Sequence, residues 1–382
     1  MKKYCVLPFV SVRIEDNKNL NSTGVRPCCL YKDKDMPVFK NVSEYLSSDF
    51  LKNLQAHFLT QDQLPPGCQY CQTVESRNLL SVRQLKNKFF HNVVLTQSDV
   101  KELDIFPSNT CNLKCVMCNP KFSSSIAAEY KKLGWINSIY NFDETDLVVQ
   151  TIKSLPNLQH IHIAGGEFFY GKHCLRILDA IKIAGIPNVE FITNGTVYND
   201  DHISVLKGFA NLSLRFSIDG TGDYYNFIRY PAHWQQVRDN ILKFKEQIPN
   251  AHLETVMTVQ PLNIFNILNW TADMNVLGLE THWQIVIGNM GWQAITADEK
   301  QLASDFILNN YRKFSLEPKQ KVTLLNYARN VLPNLPFDTE YRDQFVDRLV
   351  QLCKSRKILP QTVNQLLGPW TQLQETINSK LL

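Results

Sequence analysis

Three cysteines crowd one short stretch, Cys111-Asn112-Leu113-Lys114-Cys115-Val116-Met117-Cys118, spaced C-x3-C-x2-C just after the apolar run Leu103 to Phe106. Three thiolates on one loop can hold three irons of a cubane [4Fe-4S] cluster. With no fourth cysteine in the run, one iron keeps a position open to an outside ligand. Zinc is the competing occupant. A structural zinc site closes with four ligands, usually as two C-x2-4-C pairs, and an odd three leaves that set incomplete.

Ahead of this loop stand five more cysteines: Cys5, Cys28, Cys29, Cys68 and Cys71. Cys68-Gln69-Tyr70-Cys71 is a C-x2-C pair, and Arg26-Pro27-Cys28-Cys29 ends an expected hairpin whose polar loop runs from Glu15 to Gly24. Four thiolates drawn from this set could close a second [4Fe-4S] cluster or hold zinc. Cys174 and Cys353 fall on helical patterns, where a free thiol behaves as a small buried hydrophobe.

The elements that must position these groups alternate from residue 103 onward. Expected strands are Leu103 to Phe106, His160 to Ala164, Val189 to Thr193, Ser213 to Ile218, His252 to Val259 and Thr281 to Ile287. Between them lie helical patterns with start and stop signals: Ser123 before Ser124 to Leu133, Asp143 before Leu147 to Ser154, and His173 to Ala184 closed by Gly185 and Pro187. Asp200 to Phe209, Trp234 to Gln247 and Phe265 to Leu277 read as further helices. Repeated βαβ units imply a parallel sheet with right-handed crossovers, and about six units fit an open partial (β/α)6 barrel. Cys111, Gly165-Gly166-Glu167, Asn194-Gly195, Asp219-Gly220, Gln260-Pro261 and Gly288-Asn289 each follow a strand. In α/β sheets the ligand site is built at that carboxyl end.

Period two along the strands gives a further expectation. Ser213, Arg215, Ser217 and Asp219 share one face of their strand, and His252, Glu254, Thr258 and Gln260 share one face of theirs. Polar groups on the side away from the helices suggest a wet lumen in which Arg215 and Glu254 pair.

The cysteine loop resembles the signature of the radical S-adenosylmethionine (radical SAM) enzymes, C-x3-C-x-φ-C with φ usually aromatic; Met117 stands at φ, a mild departure. The resemblance implies that the open iron chelates the methionine end of SAM, and that one electron cleaves SAM to methionine and a 5'-deoxyadenosyl radical that abstracts hydrogen from a substrate. Gly165-Gly166-Glu167 resembles the family's SAM-amino motif, with Phe168 where relatives commonly carry proline. Two glycines let backbone approach a ligand and a carboxylate suits an ammonium. Ser217 and Asp219 match the fourth-strand pattern near the SAM ribose and carboxylate. Arg229 follows at the spacing of a carboxylate-binding arginine, and Asn194 ends the third strand as in relatives. The segment with Cys5, Cys28, Cys68 and Cys71 resembles a SPASM or twitch module, which implies one auxiliary [4Fe-4S] cluster. The module here precedes the barrel, whereas in most relatives it follows. Cys28 is favoured over Cys29 because it follows Pro27.

Composition sets the outer bounds. The 382 residues, 44% hydrophobic, suffice for two domains and a large core, and the formal net charge of +4 forms no basic block, so nucleic acid is not implied. No apolar run reaches the ~18 to 20 residues of a membrane span, and Pro8, Arg13, Glu15 and Asp16 come too soon for a signal peptide. A cytoplasmic chain is expected. The domain reading is an auxiliary-cluster module at 1–98, the barrel at 99–292 and a helical region at 293–382. That tail reads as Ala297 to Phe314, Val322 to Val331, Glu340 to Lys357 and Thr362 to Leu381, broken by Pro318, Pro333, Pro336 and Pro360. The expected function is radical modification of a substrate, a peptide or protein side chain or a small molecule, with SAM and a reductant such as flavodoxin or ferredoxin as partners. The rival class is a non-catalytic iron–sulfur carrier or scaffold. Sequence names no catalytic residue beyond the cofactor ligands.

Overall fold

The computed structural model describes residues 4–17, 22–76, 80–93, 99–286 and 290–381. Its chain divides into two compact units. One comprises Met1–Thr110, Asn141–Ile192 and Asn199–Ser213; the other comprises Cys111–Tyr140, Thr193–Tyr198 and Leu214–Leu382. The strands are β1 (Ser11–Asn17), β2 (Ser22–Arg26), β3 (Glu102–Ile105), β4 (His160–Ile163), β5 (Asn188–Thr193), β6 (Asn211–Ser217), β7 (His252–Val259) and β8 (Glu280–Ile285). β3 to β8 are the six expected strands. The turn expected at Gly288-Asn289, and the end of its strand at Ile287, lie outside the described residues.

In the first unit the strand order is β2-β1-β3-β4-β5. β1 and β2 form the expected antiparallel hairpin, and β1 then pairs parallel with β3, so the sheet starts one strand earlier than the βα alternation implies. Burial explains this addition. Val12 and Ile14 alternate along β1 as Leu103 and Ile105 do along β3, and all four are fully buried. On the opposite face Arg13, Asp104, His162 and Glu190 occupy matched register positions on β1, β3, β4 and β5. Arg13 is ion-paired with Asp104, and His162 Nδ1 lies 2.8 Å from Asp104 Oδ1. Burial opposes the Asp104 charge, but Arg13 and the His162 hydrogen bond override it and hold the carboxyl at about 2.

The second unit holds the strand order β6-β7-β8, with β7 and β8 parallel. The expected pair is present: Arg215 Nε donates to Glu254 Oε1 at 2.9 Å, and His282 Nε2 approaches Glu254 Oε2 at 2.8 Å. The helices Ser124–Lys132, Trp234–Gln247, Ile267–Leu277, Ala297–Asn310 and Thr339–Arg356 lie at or within a few residues of their expected positions. Helix Gly222–Ile228 is one the periodicity did not reveal, because it is short and starts at a glycine. Pro318 and Pro360, expected as breaks, open the helices Pro318–Asn326 and Pro360–Leu367. At a first helical position the missing N–H has no partner to lose. The last expected helix is interrupted at Gly368, φ 54°, before Thr371–Leu381. No described helix is long and apolar enough to cross a membrane.

Candidate functional site

The cysteine loop is held from three sides within the second unit. At its start, the serines opening helix Ser124–Lys132 grip the backbone: Ser125 Oγ donates to Cys111 O at 2.6 Å, Cys111 N donates to Ser124 Oγ at 3.1 Å, and Ser123 Oγ donates to Leu113 O at 2.8 Å. Ser123 also caps that helix by accepting from Ile126 N, so one local signal starts the helix and fixes the loop. In its middle, Lys114 N and Val116 N donate to Tyr230 O and Ile228 O at 2.7 and 2.9 Å. A side-chain lattice ties it to the turn after β5: Asn194 Nδ2 donates to Asn112 Oδ1 at 3.0 Å, and Asn112 Nδ2 to Thr196 Oγ1 at 2.8 Å. Asn194, a candidate ligand, therefore also positions the loop.

Charge gathers at the same loop. Arg229 Nη1 lies 3.7 Å from Cys115 Sγ, and its Nε forms an ion pair with Asp219 Oδ2 at 2.6 Å. Asp219, fully buried, accepts from Thr258 N at 2.7 Å through its other oxygen. Both carboxylate oxygens are thus engaged, and Asp219 acts through Arg229. Burial alone would favour the neutral guanidine, but the Asp219 charge overrides it and raises the Arg229 pKa. Burial pushes the Cys118 thiol up to about 12 and raises Cys115 against the opposing pull of Arg229. Such thiols release their protons when they take a metal. Ser217 is half-buried at the end of β6.

From the other side, helix Thr339–Arg356 brings two arginines that no motif announced. Arg348 Nη2 donates to Val116 O and Cys118 O at 2.7 and 2.6 Å, and Arg356 Nη2 donates to Lys114 O at 2.7 Å. Arg348 is 230 residues from Cys118 in sequence, so no local pattern could have linked them.

The expected glycine motif lies in the first unit. Gly165 and Gly166 have φ of 97° and 54°, in the region that favours glycine. A Cβ on Gly165 would fall 1.2 Å from the Phe106 ring, and one on Gly166 would fall 2.4 Å from Thr110 O. Glu167 N donates to Thr110 O at 2.8 Å, and its buried carboxylate accepts from Phe169 N at 3.3 Å. The motif is thus folded directly onto the residues preceding Cys111.

The front cysteines also lie in the first unit. Cys5, Cys28 and Cys68 share an apolar cluster with Leu7, Phe9, Tyr31, Leu54 and Phe58. Cys71 is buried and close enough to raise Cys5 and Cys68. Burial first, then neighbouring thiols, hold Cys5 and Cys68 at about 12. Cys29 is exposed and faces Arg13, Asp104 and Glu15. Gly67 leaves room for the Tyr31 ring, which would lie 2.4 Å from a Cβ there, and Lys32 N donates to Gly67 O at 2.9 Å. That contact brings the Cys28 and Cys68 segments together.

Among the described residues, no three His, Cys, Asp or Glu side chains are set to hold a single metal ion. A cubane asks something different, since each thiolate binds its own iron and the sulfurs face a common volume instead of meeting at a point. Three thiols on one loop with arginines beside them fit an anionic thiolate-ligated cluster.

Residues 105–266, less than half of the chain, match the model of the Radical SAM superfamily. The sporulation killing factor maturation protein SkfB of Bacillus subtilis (strain 168) is 24% identical over 157 residues, covering 41% of this chain and 35% of that relative. The match therefore spans about a third of the relative's length. Streptococcus suis SuiB bound to precursor peptide SuiA aligns over 76% of this chain and 56% of its own at 15% identity and a TM-score of 0.37. The anSMEcpe structure with bound AdoMet aligns over 56% and 63% at 16% identity and a TM-score of 0.41.

Proposed function

We propose that the chain, whose residues 105–266 match the Radical SAM superfamily model, is an enzyme that binds a [4Fe-4S] cluster through Cys111, Cys115 and Cys118 and S-adenosylmethionine at the open iron. The observation that carries the reading is the three-cysteine loop at the family spacing inside the matched residues, with Arg229 held beside Cys115 by a buried Asp219. When bound, the cluster and SAM supply reductive cleavage to a 5'-deoxyadenosyl radical and hydrogen abstraction from a substrate.

The chain's residues orient and neutralise. Arg229 offers a fixed cation to the SAM carboxylate, and Asp219 positions it. Asn194 braces the loop, Ser217 is the hydroxyl proposed for the ribose, and Gly165, Gly166 and Glu167 are the proposed partners of the SAM amino group. Cys5, Cys28, Cys68 and Cys71 are the proposed ligands of an auxiliary [4Fe-4S] cluster in a twitch-like module. The grouping of Cys28 with Cys5 and Cys68, away from Cys29, supports that choice.

The proposed substrate is a peptide or protein side chain, supported by the curated relative's role as a maturation protein. A reductant such as flavodoxin or ferredoxin is the proposed electron source. The test is anaerobic reconstitution with iron and sulfide, then SAM and dithionite, with chromatography for 5'-deoxyadenosine beside a Cys115→Ala control. Product that disappears in the control supports the enzyme; a fully loaded chain that makes none, with or without candidate peptides, favours the non-catalytic carrier.

A further inference from the structure

Helix Thr339–Arg356 lies outside the residues matched to the radical SAM model, yet it is hydrogen-bonded to the cysteine loop at three carbonyls. Of its three arginines, the two that reach the loop, Arg348 and Arg356, stand eight residues apart, a little over two helical turns, and so present to one side of the helix. Their charges are handled differently. Arg356 is neutralised: Nε and Nη2 donate to Glu129 Oε1 and Oε2 at 3.0 and 2.7 Å, and its guanidinium lies 4.8 Å from the Tyr230 ring centre. Arg348 has no acidic partner within ion-pair distance among the described residues. Its Nη2 bonds Val116 O and Cys118 O, its guanidinium lies 5.2 Å from the Tyr130 ring centre, and its Nε has no hydrogen-bond partner there.

We propose that Arg348 is a positioning residue that sets the charge at the cysteine loop, with the Arg356–Glu129 pair anchoring its helix; this rests on the cluster reading above. Two backbone carbonyls flank Cys118, and one guanidinium joined to both fixes the loop's exit while placing an uncompensated positive charge beside the thiolates. A reduced cluster carries one more negative charge than an oxidised one. A fixed cation at this half-buried site therefore stabilises the reduced form more and raises the midpoint potential.

The test is a redox titration of the reconstituted full chain without SAM, following the electron paramagnetic resonance signal that Cys115→Ala lacks. Arg348→Gln is expected to shift the one-electron equilibrium about tenfold toward the oxidised form, ~59 mV, and Arg348→Lys to stay near the parent. An unchanged midpoint in Arg348→Gln with an intact signal overturns the inference and leaves the enzyme reading standing. A parent chain that takes up no cluster overturns both. Should Arg348→Gln not fold, hydrogen exchange on the parent chain decides. Loading is expected to raise protection at 116–118 and along 339–356 together, and loading that protects the loop but leaves the helix unchanged overturns the proposal.

Discussion

The cysteine loop of the second unit and the front cysteines of the first place the same side chain in opposite surroundings. The loop takes three thiols from eight consecutive residues and surrounds them with cations: Arg229 at Cys115 and Arg348 on the carbonyls flanking Cys118. The front set draws on three distant segments, with Cys5 buried in an apolar cluster and the half-buried Cys28 and Cys68 packed against it. Its nearest cation, Arg83, is spent on Glu75 through bonds of 2.9 and 2.7 Å. A loop that has, besides the paired Arg229, a cation with no acidic partner among the described residues suits an anion that must also accept an electron and an outside ligand. A site built into a core with its cation already paired suits a closed cluster that shapes and stabilises its module.

Changes at either set would sharpen or break this contrast. The largest effect is expected from Cys115→Ala, which should reduce 5'-deoxyadenosine formation to background while leaving the front set loaded, as read by chromatography and iron analysis. Next, Cys68→Ala should remove roughly half of the bound iron, if two cubanes are present, whereas Cys29→Ala should leave iron content unchanged. Equal losses from Cys28→Ala and Cys29→Ala would undo the assignment of the front ligands. Asp219→Asn leaves the buried Arg229 without its counter-charge. It should destabilise the chain by roughly 3–5 kcal/mol in denaturant melts of the cluster-free protein, and a neutral result would mean that Arg229 does not depend on Asp219.

The smallest effect concerns protons. Burial alone would raise the Glu254 carboxyl, but the His282 hydrogen bond and Arg215 override it and lower it from 4.5 to about 2. A depressed folded value contributes stability that is present above the unfolded value and is lost as pH falls from 4.5 toward 2. Glu254→Gln should therefore flatten the dependence of the melting temperature on pH in that window. An unaltered slope would assign the acid sensitivity elsewhere, to Asp104 in the first unit, whose carboxyl is also held at about 2.

Much of the architecture was legible because it is written locally. Six strands follow from β-rich runs between turn residues, and the helix after the cysteine loop follows from Ser123, whose hydroxyl does cap it. The pairing of Arg215 with Glu254 followed from period two alone, since adjacent strands of a parallel sheet bring like-facing residues together. The entry of β1 beside β3 was not legible, because parallel pairing leaves no turn signal between partners so far apart in the chain. The interruption at Gly368 was missed for another reason: the helical period continues through it, and only the backbone at φ 54° marks the stop.

What the sequence determined by itself is the donor chemistry and its local frame. Thiol spacing within one loop is a covalent fact, and the glycines, caps and strand periods around it act over a few residues. Only the tertiary structure decided which charges attend those thiols. Asp219 became the holder of Arg229, Cys28 was separated from its neighbour Cys29, and Arg348 and Arg356 arrived at the loop from more than two hundred residues away. Electrostatic partners are chosen by distance in space and by the loss of competing water, and neither is encoded in the order of residues along the chain.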